Sequence, residues 1–273
     1  MTVKAEDAKA ALVDKAAAQV RATAPSEEAP EIEAFLRRYF ADAALEDLGE
    51  IDLYGAALSH WRLLQRRRPG EAKVRVYTPA IDEHGWDSPH SVVEIVTDDM
   101  PFLVDSVAMA LTRQGSAIHL FIHPVVRVSR DEEGRLLELA DDGVPESLLH
   151  FEIDRRTEAE RDELTAALRD TLADVRAAVD DWQAMRARLR EAIEELDEQP
   201  PPIEPDELEE AKALLEWVHD DHFTFLGYRE YVLGTKDGED ILSSVPGSGL
   251  GILREADSQP VSHSFSTICS RTP

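Results

Sequence analysis

The apolar period of this chain changes from strand to helix across one short turn, and that change constrains the fold more than any other feature. "SVVEIV" (91–96) reads as a strand, "TDDMP" (97–101) as an acidic turn, and the residues from 101 to 113 as a helix. Strand signals recur on both sides. In "AKVRVYTPA" (72–80), Val74 and Val76 alternate with Lys73 and Arg75. "AIHLFIHPVVRV" (117–128) reads as one strand closed by the turn "RDEEG" (130–134), and further strands cover 136–139 and 148–153. Strands interleaved with helices predict an α+β layer, with helices packed on one face of a small sheet.

Helical patterns flank this layer. Residues 5–20 are Ala-rich and suit a helix that is not deeply buried. Ser26 opens a second helix carrying Ile32, Phe35, Leu36 and Tyr39, and a third covers 51–67, with Leu53, Leu58, Trp61 and Leu64 facing a core. Pro69 and Gly70 end it, and Arg66, Arg67 and Arg68 read as a basic last turn that complements the helix dipole. From Leu164 to Leu196 the apolar steps are three and four, which fits one long helix or two broken near Asp180 and Asp181. Pro200–Pro202 form a stiff spacer. A helix over 206–219 follows, then a strand over 223–233 and a weakly ordered tail after Gly234. The expected domains are a helical segment (1–70), an α+β domain (71–198), a Pro-rich linker (199–205) and the start of a second α+β domain (206–273).

The chain has 273 residues, with 29 basic and 56 acidic side chains and a formal charge of −27. Nucleic-acid binding needs clustered Lys and Arg to displace phosphate counterions, so this balance argues against it, and against an anionic membrane surface. Cys269 is the single cysteine, so neither an intrachain disulfide nor a thiolate cluster is expected. The first twenty residues contain acids and lack a continuous apolar run, unlike a signal peptide, and no stretch is apolar enough for a membrane span. A reducing cytoplasm is the expected location.

Candidate sites are few. Gly247, Gly249 and Gly251 in "PGSGLGIL" have the wrong third spacing for a dinucleotide loop and read as a flexible turn. His219 and His222 flank Asp220 and Asp221 at a helix end, where polar groups solvate the last carbonyls. His119 and His123 share one strand face, read as half-exposed. No nucleophile–base set is visible, so no catalytic, cofactor or metal residue is assigned. The acidic turn remains. Asp98 or Asp99 is expected to cap the following helix, with Pro101 at its first helical position. The competing reading is a regulatory contact built from Asp98, Asp99, Met100, Pro101, Phe102 and Gly115.

"VEIVTDDMPFLVDSV" with "IHLFIHPVVRVSRD", "LLEWVHDDHFTFLGYREY" and "GSGLGILR" occur in order along the chain. Together they resemble the N-terminal region of the large bacterial NAD-specific glutamate dehydrogenases. The resemblance implies a ferredoxin-like, ACT-like antiparallel sheet in the regulatory part of an oxidoreductase. Its catalytic domain and NAD site would lie elsewhere in the polypeptide. It also implies the remaining domains as partners, a homo-oligomer and an amino-acid effector. The ACT pattern is Asp-x-Pro-Gly followed by aliphatics. Asp99, Pro101, Leu103 and Val104 match it, and Phe102 stands where glycine would let a ligand approach the backbone. The alternative function is a free-standing amino-acid-binding regulator or scaffold without catalysis.

Overall fold

The computed structural model describes residues 3–43, 52–236 and 239–254. The chain forms two compact units, Met1–Leu172 and Ala173–Pro273. The Pro-rich stretch lies inside the second.

The first unit opens with α1 (Val3–Thr23), α2 (Ala29–Tyr39) and α3 (Leu53–Leu64). The Ala-rich helix is more buried than its composition suggests. Val13, Ala16, Ala17 and Val20 line one face of α1 and are buried in the same core as α2, because small side chains let two helices approach closely. Ser26 does not cap α2. A backbone turn on the Pro25 carbonyl starts it, and a proline in the first helical turn fits because no N–H is lost there. Asp52 does cap α3, accepting from the Gly55 N–H at 2.9 Å, an arrangement worth about 1 kcal/mol. Phe35, Leu36, Tyr39, Trp61 and Leu64 all reach the core, and Phe35 packs 5.1 Å from Trp61 between ring centroids.

The sheet contains β1 (Lys73–Tyr77), β2 (Ser91–Asp98), β3 (Ile118–Ile122), β4 (Val125–Arg130), β5 (Leu136–Leu139) and β6 (Val144–Ile153). Its order is β1-β2-β6-β4-β5, with β3 also on β6, and every pairing is antiparallel. A short α4 (Ile81–His84) precedes β2, and α5 (Leu103–Arg113) joins β2 to β3. Strands β2 and β3 both flank β6, giving a split β-α-β unit.

The single strand expected over 117–128 is instead two. Ile122 pairs with His150 and Val125 with Ser147, so β3 and β4 keep one register on β6. His123 and Pro124 interrupt the ladder because proline has no N–H to donate.

Strands β2 and β6 are buried on both faces. Val96 and Leu148 share a core with α1, α2 and α3. Val93, Ile95, Leu149, Phe151 and Ile153 point to the opposite face by alternation and are also buried. There α5 offers Leu103, Val107 and Leu111, and α6 (Glu158–Asp180) offers Leu164, Leu168 and Leu172. The sheet's own helices thus take one face, as expected, and the N-terminal helices close the other.

In the second unit α6 ends at Asp180 and α7 (Trp182–Glu198) begins, so the long helical pattern is two helices. Asp181 marks the break, with its carboxylate accepting from the Gly251 N–H at 2.7 Å and from Arg254 Nε at 3.0 Å. Helix α8 (Pro205–Trp217) ends in a π turn, Val218–His222. The strand expected over 223–233 is shorter and split. Residues 223–226 are irregular, β7 (Gly227–Tyr228) pairs with β10 (Leu250–Gly251), and β8 (Tyr231–Lys236) pairs with β9 (Glu239–Ser244). Between Gly234 and Arg254 the chain contributes two more strands, and the rest of the expected tail lies outside the described residues. Cys269 lies outside the described residues.

Candidate functional site

The acidic turn does not cap a helix through its carboxylates. Asp98 closes β2 and accepts from Arg67 Nη2 at 2.7 Å and from the Gly70 N–H at 3.0 Å. Asp99 accepts from Ser147 Oγ at 2.7 Å. The N-cap position of α5 is Phe102, with no side-chain cap bond. A guanidinium partner outcompetes backbone capping for Asp98, because charge-assisted hydrogen bonds are the stronger ones.

Arg67 corrects a second expectation. Only 2% exposed, it is no solvated last turn. It also donates to Glu146 at 2.8 Å, and Arg130 grips the same carboxylate through Nε and Nη2, both at 2.7 Å. Burial alone would lower the Arg67 pKa, but the Glu146 and Asp98 hydrogen bonds outweigh it and hold it above its ordinary value. Gly134 makes this packing possible: at φ +80° its carbonyl accepts from the Arg67 N–H at 2.8 Å, and a Cβ there would lie 2.5 Å from the Arg67 backbone oxygen.

Phe102 sits at φ +69°, the left-handed conformation that glycine would adopt without strain. Asp99, Pro101 and Phe102 are exposed, and Asp98 and Met100 are half-buried. Gly115 lies at the other end of the 11-residue α5, about 16 Å away along the helix axis. There it ends the helix at φ +70°, with the Gly115 N–H bonded to Thr112 and the Ser116 N–H to Leu111. The structure therefore does not bring Gly115 to the turn.

The residues bonded to Asp99 belong to β6: Ser147, and Pro145, whose carbonyl accepts from the Asp99 N–H at 3.3 Å. A cleft of about 390 Å³ is lined by Arg38, Asp42, Asp99, Pro124, Arg127 and Asp141, among others. Arg38 pairs with Asp141 at 3.2 Å, and Arg127 donates to the Gly143 carbonyl at 3.0 Å. The cleft thus carries two guanidinium groups and the carboxylates of Asp42, Asp99 and Asp141. On the Asp99 side, Ser147 donates to the carboxylate, so His123 Nε2, 3.1 Å from Ser147 Oγ, must donate to the serine. Burial lowers the His123 pKa, with Asp99 opposing it. This imidazole cannot deprotonate Ser147 in that arrangement, so the trio is not a nucleophilic set.

A second polar group lies buried between α3 and the sheet, and sequence reasoning missed it. His60, Glu94 and His150 are fully buried, with one ligand atom from each within 4.8 Å of the others. His60 Nε2 faces the Ile95 carbonyl at 3.1 Å, and its Nδ1 faces the Tyr39 hydroxyl at 2.9 Å. Glu94 accepts from Arg75 Nε at 3.0 Å and from the Tyr77 hydroxyl at 3.0 Å. Burial pulls His60 down to about 4. It pushes Glu94 up, yet the facing imidazoles and Arg75 hold Glu94 below its ordinary value. The detectable signal was polar residues at core-phase positions: Glu94 within "SVVEIV" and His150 within "LLHFEI".

The remaining motifs stay structural. The His219 carbonyl accepts from Arg186 at 2.9 Å, and His222 stacks on Trp217. Neither joins a three-ligand group among the described residues. Gly249 and Gly251 would each place a Cβ 2.2 Å from backbone oxygen, of Leu253 and Leu226 respectively. These glycines accommodate the chain's own backbone, and every strand pair among the described residues is antiparallel.

Sequence comparisons place this chain among known proteins. The sequence profile of the glutamate dehydrogenase ACT1 domain matches residues 35–168. Fold and profile together define this α+β layer as an ACT domain. The NAD-specific glutamate dehydrogenase of Halomonas elongata is 39% identical over 263 residues, covering 92% of this chain and 16% of that protein. That of Pseudomonas aeruginosa is 40% identical over 74% of this chain and 13% of its own length. That of Mycobacterium tuberculosis is 29% identical over 72% of this chain and 12% of its own length. The chain belongs to the NAD-specific glutamate dehydrogenase family and spans no more than 16% of the length of these relatives. No described helix is long and apolar enough to cross a membrane.

Proposed function

We propose that this chain is the regulatory and assembly part of an NAD-dependent glutamate dehydrogenase. The whole protein would convert glutamate, NAD⁺ and water to 2-oxoglutarate, ammonium, NADH and a proton. Hydride transfer and NAD binding belong to other parts of the polypeptide, because the glycine loop here does not fit a dinucleotide. The observation that carries the regulatory reading is the cleft beside Asp99 in the ACT domain. Arg38 and Arg127 suit the carboxylate of a free amino acid, and Asp99 suits its ammonium group. Phe102, where glycine would bare the backbone, shifts recognition to these side chains.

The assembly role rests on the second unit, where Leu214, Trp217, Phe223, Leu226, Val232 and Leu233 are all exposed. Apolar exposure on this scale marks a contact surface, and the remaining domains of the polypeptide are the proposed occupant, within a homo-oligomer. The test is glutamate-dependent NAD reduction by purified residues 1–273, together with calorimetric titration of NAD. Neither reduction nor binding is expected. Reduction of NAD by this chain alone would overturn the assignment.

A further inference from the structure

We propose that His60, Glu94 and His150 form a buried site for one divalent transition-metal ion of the zinc class, which fastens the N-terminal helices to the sheet. Three elements supply the donors: α3 gives His60, β2 gives Glu94 and β6 gives His150. Glu94 and His150 are direct cross-strand partners. Two imidazoles and one carboxylate are a zinc donor set.

The hydrogen bonding around the three residues favours an ion. A carbonyl only accepts, so His60 Nε2 carries the hydrogen toward Ile95, and Nδ1 keeps the lone pair. A backbone carbonyl that fixes the tautomer of a histidine is the usual outer partner of a metal ligand. His150 supplies the independent observation. Both its ring nitrogens are buried without a hydrogen-bond partner. Buried polar atoms in that state call for a bound group.

Charge also permits the ion. Glu94 (0% exposed) and Glu152 (5% exposed, 3.9 Å from His150 Nε2) are two buried negative groups. Arg75 opposes them and would repel a cation, but its side chain is 34% exposed, so water screens it more than it screens the carboxylates. Binding also requires the Tyr39 hydroxyl to release His60 Nδ1. A second histidine arrangement is the stacked pair of His90 and His119, 4.2 Å between centroids and bonded to Glu152 and Asp154. Those imidazoles are partly exposed and give a built-in control.

The test uses the 273-residue chain produced in zinc-supplemented medium, and the same chain unfolded and refolded with Co²⁺. The expected result is one equivalent of zinc by plasma mass spectrometry and the visible absorption of low-coordinate cobalt. His150→Gln and Glu94→Gln should each abolish both signals, while the double variant His90→Gln/His119→Gln keeps them. Should Glu94→Gln fail to fold by circular dichroism, His150→Gln decides alone, since His150 has no hydrogen bond to lose. No metal in either preparation overturns the proposal and leaves a buried water as the partner of His150. So does binding that survives His150→Gln but vanishes when His90 and His119 are replaced.

Discussion

Replacing Arg67 with methionine tests whether a buried guanidinium holds the 66–71 loop, the end of β2 and the start of β6 together. Arg67 and Glu146 are 2% and 1% exposed, and removal costs the bonds to Asp98, Glu146, the Glu71 carbonyl and the Arg68 carbonyl. Deleting one partner of a buried ion pair costs about 3–5 kcal/mol, because the other charge is left uncompensated. Here the penalty falls at the lower end. Glu146 keeps Arg130, and Asp98 is 25% exposed and keeps the Gly70 N–H. The expected loss is about 3 kcal/mol, which lowers Tm by roughly 6–12 °C for a unit of this size. Urea melts followed by far-ultraviolet circular dichroism measure it, with exposed Arg68→Met as the control that stays within about 0.5 kcal/mol. Arg67→Met matching the parent, or exceeding it in stability, would refute the buried-network account.

Three further outcomes follow from particular contacts. In the metal-free chain His60 has a folded pKa of about 4, against about 6.5 unfolded, so the unfolded chain binds more protons between these values and stability falls as pH drops. The contribution lost from pH 7 to pH 5 is about 2 kcal/mol, and urea midpoints for His60→Gln should lack that share of the decline. Gly55→Ala, normally stabilising in a helix, should cost about 1–3 kcal/mol by overpacking, because its Cβ would lie 2.4 Å from Trp86. A neutral melt contradicts that contact. Phe102→Gly relieves a left-handed residue worth about 1–2 kcal/mol, offset by about 0.5–1 kcal/mol of glycine entropy. Its stability should stay level or rise, and a loss above about 1 kcal/mol would mean the ring's packing outweighs the strain.

The fold was legible wherever one physical signal dominated. Alternation at 73–77, the apolar run at 91–96 and the three-four spacing of Ile32, Phe35, Leu36 and Tyr39 each map onto an observed element. Spacing could not show where a ladder is interrupted, which Pro124 decides between β3 and β4 through a missing donor. The candidate site was less legible, because its partners are distant in sequence. Asp98 reads locally as a cap, and only folding brings Arg67 within 2.7 Å. Asp99 comes to line one cleft with Arg38 and Arg127 in the same way. Phe102 was the informative departure, since its mismatch with the ACT pattern coincides with the observed φ of +69°.

The regulatory reading is tested most directly by titrating free amino acids into the full-length enzyme while glutamate oxidation is followed. The account predicts that at least one amino acid changes the rate of the parent enzyme. It also predicts that Asp99→Ala raises that effector's half-maximal concentration about tenfold or more, the loss of roughly 1.4 kcal/mol expected for a charged hydrogen bond. A parent enzyme indifferent to every amino acid, or superimposable titration curves for parent and Asp99→Ala, would contradict it.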